Sequence, residues 1–105
     1  MAGEASPVVW APKAKQDLLA VWRYYARVAS PDVADKLLRD ISQAGEALAT
    51  RPTIWRTRDD VFPGLRSVTV PPYILFYRLA EQRVEIARVL HERRNLAAAF
   101  EKRER

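Results

Sequence analysis

At 105 residues, with 49% apolar side chains and only 3 glycines, the chain has the length of one small domain over 1–105 and the composition of a folded one. It has no cysteine and one histidine, which excludes disulfides and thiolate chemistry, argues against a zinc site built from imidazoles, and fits a reducing cytoplasm. The net charge of +5 and pI near 10.0, carried mostly by arginine, point to an anionic partner or to a plain basic surface.

The opening "MAGEASPVVW" has no basic segment followed by an apolar one, so no signal peptide is expected. No apolar run reaches about 18 residues, the length that would mark a membrane helix. Val8–Ala11 is a short β-branched and aromatic strand. Pro12 suits a first helical turn, because its missing N–H would be unpaired there anyway. Ala14, Leu18, Val21, Trp22 and Tyr25 then recur at spacings of three and four, which predicts an amphipathic helix ending near Ala29. Ser30 and Pro31 start a second helix as N-cap and first position. Its apolar face is Ala34, Leu37, Leu38, Ile41, Ala44 and Leu48, and it runs to about Thr50, where Arg51–Pro52 ends it. So short a break folds the helices into an antiparallel hairpin.

Residues 51–64 mix charges, aromatics and breakers without a period and read as a loop. Three strand-like runs follow, Leu65–Val70, Tyr73–Leu79 and Arg83–His91, joined by Pro71–Pro72 and by "AEQ". Joined this closely, they predict an antiparallel meander. In the last run strict alternation puts Val84, Ile86, Arg88 and Leu90 on one side. The order β-α-α-β-β-β is an α+β fold, a helical hairpin on one face of a small, mainly antiparallel sheet whose other face is left for water or a partner.

These features resemble the RelE/ParE superfamily of bacterial type II toxins, and within it the ParE branch. The carrying stretches are "VVWAPKAKQDLLAVWRYYA", "ASPDVADKLLRDISQAGEALATRP", "FPGLRSVTVPPYILFYRL" and "VEIARVLHERRN", with the likeness spanning about Val8 to Phe100. The resemblance implies a toxin of a toxin–antitoxin hetero-oligomer, neutralised by a ParD-like or similar antitoxin, with no cofactor, metal or membrane involved. ParE-like toxins inhibit DNA gyrase, whereas RelE-like toxins cut mRNA on the ribosome.

RNA cleavage through the 2′-hydroxyl needs a base, a stabiliser of the charged phosphorane and an acid. RelE-like nucleases resemble one another in using a cation just after the tyrosine of the second meander strand, an arginine after the last strand, and a C-terminal aromatic hydroxyl. Here Tyr73 is followed by Ile74, Glu92 aligns with the second cation (a slip of one residue would offer Arg93), and the C-terminal aromatic is Phe100. The expectation is a toxin that acts by binding, with His91 and Arg93 as the fallback catalytic pair. An imidazole suits acid–base work, but a histidine at a strand end also serves as a backbone hydrogen-bond partner.

Arg66, Arg78, His91, Arg93, Arg94, Tyr24 and Trp55 are the candidate contacts for target or antitoxin. Arg66 and Arg78 lie within strand runs and could instead pair across the sheet, with Asp17 as one possible internal partner. A plain nucleic-acid-binding module is the third possibility, suggested by charge alone. It lacks a glycine-rich phosphate loop, a zinc pattern and an evident recognition helix.

Overall fold

The computed structural model of the chain describes residues 7–94. The elements are β1 (Val8–Trp10), α1 (Pro12–Val28), α2 (Pro31–Ala47), β2 (Arg56–Thr57), β3 (Arg66–Val70), β4 (Tyr73–Ala80) and β5 (Arg83–His91). Five strands form one mixed sheet in the order β1-β5-β4-β3-β2. The pairs β2–β3, β3–β4 and β4–β5 are antiparallel, and β1 lies parallel to β5. The expected α+β architecture is therefore present, with one strand more than the sequence predicted.

The helices begin where their caps place them. Pro12 and Pro31 occupy first-turn positions, and the Ser30 hydroxyl accepts a hydrogen bond from the Val33 N–H at 3.1 Å. Across the hairpin the Trp22 indole N–H donates to Asp35 at 2.8 Å. The apolar faces of both helices meet one side of the sheet. There Ala14, Val21, Ile41 and Leu48 pack with Val68, Leu75, Tyr77, Val84, Ile86 and Val89 in the main core.

Four details differ from the sequence expectation. The second helix stops at Ala47 and not near Thr50. Beyond it the N–H groups of Leu48 and Ala49 bond three residues back, to Gly45 and Glu46, in a tightened last turn. Leu48 keeps its place on the apolar face, its backbone still in the right-handed helical region at φ −66° and ψ −16°. Second, the loop contains β2, a two-residue edge strand too short to carry any period.

Third, strict alternation in β5 fails at Ala87. Phe76 opposes Arg88 and Tyr77 opposes Ile86, so Ala87 is the extra residue of a bulge. A bulge reverses which way later side chains face. Accordingly Val84, Ile86 and Val89 share the main core, and Leu90 points to the opposite side. Fourth, that opposite side is not wholly left to solvent. Leu65, Phe76 and Leu90 form a second cluster with Val61 and Ile74. It lies under residues 58–65, which are closed by bonds from Val61 and Phe62 N–H to the Arg58 carbonyl. Gly64 turns this loop at φ +81°, and its N–H donates to Asp59 at 2.7 Å.

Candidate functional site

The bulge decides what the end of β5 presents. Arg88 turns toward α1, where its Nε and Nη2 donate to the two Asp17 oxygens at 2.8 and 3.0 Å. The Val89 N–H adds a third bond to the same carboxylate, at 2.9 Å. Donating to the Asp17 carboxylate holds the Arg88 guanidinium even further up than its ordinary range, against the opposing effect of burial. α1 is thereby clamped to the strand end, and Asp17 is paired with Arg88, not with Arg66 or Arg78.

Beside the clamp lies a cleft of about 190 Å³, lined among others by Tyr24, Tyr73, His91 and Arg94. The aromatics form a row of edge-on contacts. Tyr24 meets Tyr25 at 5.0 Å, Tyr25 meets Tyr73 at 6.4 Å, and Tyr73 meets His91 at 5.4 Å between ring centroids. Arg27 lies over the Tyr24 ring at 5.7 Å. His91 Nδ1 accepts from the Arg93 backbone N–H at 3.1 Å. Its proton is then on Nε2, which remains a donor.

Burial, with the neighbouring Tyr25 hydroxyl adding to it, pushes Tyr73 up to about 12. The folded state thus holds this proton after the unfolded chain, titrating near 10, has lost it. The sign follows: the stabilisation is complete below pH 10 and is lost as pH rises from about 10 to about 12. Burial raises Tyr77 as well, so an absorbance titration of tyrosinate should contain a late phase from both rings, which Tyr73→Phe reduces by one tyrosine's amplitude. If the variant keeps the full amplitude, the assignment to Tyr73 is wrong.

The sequence-nominated residues fall into three places. Tyr24, His91 and Arg94 line the cleft, with Arg93 exposed beside it. Arg66 and Trp55 lie at the β2 edge. There Arg66 Nη1 donates to the Thr53 and Trp55 carbonyls at 3.0 and 2.9 Å, and the Tyr77 hydroxyl donates to the Pro52 carbonyl at 2.6 Å. These bonds fix a loop that holds Ile54 and Trp55 out to solvent, 58% and 42% exposed. Arg78 pairs with Glu85 across β4–β5 at 2.8 Å, five residues along β4 from Tyr73, or roughly 17 Å. Phe100 lies outside the described residues.

Arg88, Tyr73 and Tyr25 were not nominated from sequence. Arg88 left one signal, an arginine inside a run of buried strand residues, which needs a partner when the strand folds. Among the described residues no three His, Cys, Asp or Glu side chains converge as a metal site would require, and no helix is long and apolar enough to cross a membrane.

Comparison with known proteins places this geometry. Residues 8–96 match the family model described as the ParE toxin of the type II toxin–antitoxin system parDE. The chain is 37% identical over 87 residues to toxin ParE3 of Caulobacter vibrioides, covering 83% of this chain and 87% of that protein. It is 31% identical over 90 residues to toxin ParE1 of Mycobacterium tuberculosis, covering 85% and 92%. A solved structure described as the chromosomal ParDE toxin–antitoxin system from P. aeruginosa superposes with a TM-score of 0.75 at 25% identity, covering 83% of this chain and 96% of that one. With its two helices on a mixed five-stranded sheet and a match that runs almost end to end, this chain belongs to the ParE toxin family of type II toxin–antitoxin systems.

Proposed function

We propose that the chain arrests growth by binding DNA gyrase in the cytoplasm, with no chemistry of its own, and that a ParD-like antitoxin neutralises it in a hetero-oligomer. Family membership supports the target. The observation that carries binding over cleavage is the fate of the positions where RelE-like nucleases place their working groups. Ile74 packs into the second apolar cluster and offers no cation. Glu92 stands exposed after β5, its N–H bonded to the Pro72 carbonyl at 2.9 Å. A carboxylate there would repel the phosphorane that the chemistry must stabilise. His91 is turned by its Nδ1 bond into a donor, which suits holding an anion better than taking a proton.

For the antitoxin, exposed Leu19, Tyr24 and Val28 on α1 and Ile54, Trp55 and Phe62 beside β2 supply apolar surface flanked by arginines. An acidic, partly apolar segment complements it. The P. aeruginosa structure is described as a ParDE system, which favours such a partner.

The test is a gyrase supercoiling and cleavage assay run beside cell-free translation. The expected result is lost supercoiling or trapped cleaved DNA with translation intact. Active gyrase together with ribosome-dependent mRNA cleavage would overturn the proposal and make His91 and Arg93 the catalytic candidates.

A further inference from the structure

The two helices carry opposite charge. α1 holds Lys13, Lys15, Arg23 and Arg27 against Asp17 alone, whereas α2 holds Asp32, Asp35, Asp40 and Glu46 against Lys36 and Arg39. Asp17 accepts three hydrogen bonds from Arg88 and Val89, so its charge is already neutralised within the clamp. The α1 helix is thus cationic, and where it meets the end of β5 Arg94 lines the cleft and Arg27 lies over the Tyr24 ring. Arg23, Arg93 and Arg94 are exposed, with no carboxylate partner among the described residues. Tyr24, in the same cleft as Arg94, is 48% exposed under the Arg27 guanidinium.

We propose that this cleft is a single-stranded nucleic-acid site. One unstacked base lies against Tyr24, and the flanking phosphates are held by Arg27, Arg94 and the Nε2–H of His91. Cations around an exposed aromatic ring are the elements of a stacking platform for single strands. The cleft volume of about 190 Å³ is below that of sites for whole small molecules and admits one ring of a longer ligand. A paired base inside a duplex cannot reach it without leaving the stack. The larger groove lined by Tyr25 runs past Val33, Leu37 and Pro72, and its one cation, Lys36, is paired with Asp40 at 3.0 Å, which leaves Asp32 to repel phosphate. This inference goes beyond the gyrase reading, since it needs neither gyrase nor antitoxin.

Fluorescence anisotropy of the full chain, with labelled oligomers of about 12 nucleotides, tests it in the absence of gyrase. Its failure would therefore leave the supercoiling result untouched, and the converse holds. Single strands should bind more tightly than the matching duplex. Tyr24→Ala should weaken binding about tenfold, while Tyr24→Phe keeps the ring and stays within about twofold. Arg94→Gln and Arg27→Gln should each weaken it several-fold and lower the log–log salt slope by about 0.7. Arg39→Gln removes the same charge from α2 and should change little. DNA and RNA versions of the oligomer identify which strand the site prefers, and tight binding of either supports it. Equal binding of duplex, equal losses for Tyr24→Ala and Arg39→Gln, or no binding of either strand would each overturn it.

Discussion

Replacing Asp17 with alanine should lower the unfolding free energy by about 3 kcal/mol, a fall in Tm of roughly 12–25 °C for a domain of this size. The carboxylate accepts from both Arg88 nitrogens and from the Val89 N–H. Alanine removes all three of these bonds at once. The Arg88 side chain is only 12% exposed and Asp17 only 14%, so water cannot readily take the place of the lost oxygen atoms. Removing one partner of a buried pair costs about 3–5 kcal/mol, and the residual exposure here favours the lower end. The milder change Asp17→Asn keeps one acceptor oxygen and should fall between alanine and the native residue.

The control is the double change Asp17→Leu with Arg88→Met, which removes both charges and should recover most of the loss. Urea unfolding of the variants checks all of this. If Asp17→Ala unfolds within about 0.5 kcal/mol of the parent, the clamp contributes little and the bulge is held by packing alone.

Gly45→Val should be nearly as damaging, at about 3 kcal/mol, and the reason is space and not backbone freedom. Gly45 lies inside α2, where glycine costs roughly 1 kcal/mol relative to alanine, so propensity by itself favours substitution. A Cβ at this position would stand 2.5 and 2.7 Å from the Trp10 ring carbons Cζ2 and Cη2, and 2.9 Å from Ile86 Cδ1. Neither neighbour moves easily. Ile86 is fully buried in the central sheet, and the Trp10 indole N–H is tied to Glu46 at 3.1 Å.

Overpacking costs about 1–3 kcal/mol, so even alanine should come out net destabilising, and valine more so. The damage should fall on β1, whose three residues depend on pairing beside β5. A thermal-melt cycle with Trp10→Leu isolates the contact. The second change should relieve the first by about 1 kcal/mol or more. Strict additivity would mean that the indole is not what fills the space above Gly45.

Much of the fold was legible because its signals are local. Pro12, Ser30 and Pro31 mark helix starts wherever the helices later dock. The three- and four-residue spacing of Ala14, Leu18, Val21 and Tyr25 names the buried face of α1 before any partner exists. Short connections leave β3, β4 and β5 little choice but to pair in sequence. The likeness to ParE toxins rests on the same stretches, and the family match spans them.

The site was legible only in part. His91 and Arg94 could be nominated together because they are neighbours in sequence, but nothing local says that Tyr24, on the first helix, lines the same cleft. Arg66, Trp55 and Arg78 looked equivalent to these as candidates. Their hydrogen bonds instead place Arg66 with Trp55 at the β2 edge and Arg78 against Glu85.

By itself, then, the sequence determined the types of the elements other than the two-residue β2, the helix starts, the buried helix faces and the family. Only the tertiary structure decided the parallel pairing of β1 with β5, the bulge at Ala87 and the Asp17–Arg88 clamp, together with the fit of Trp10 over Gly45. Those four share one physical cause. Each depends on groups far apart in the chain meeting at a few ångströms, and a period read along one segment carries the direction of a side chain but not what will stand opposite it.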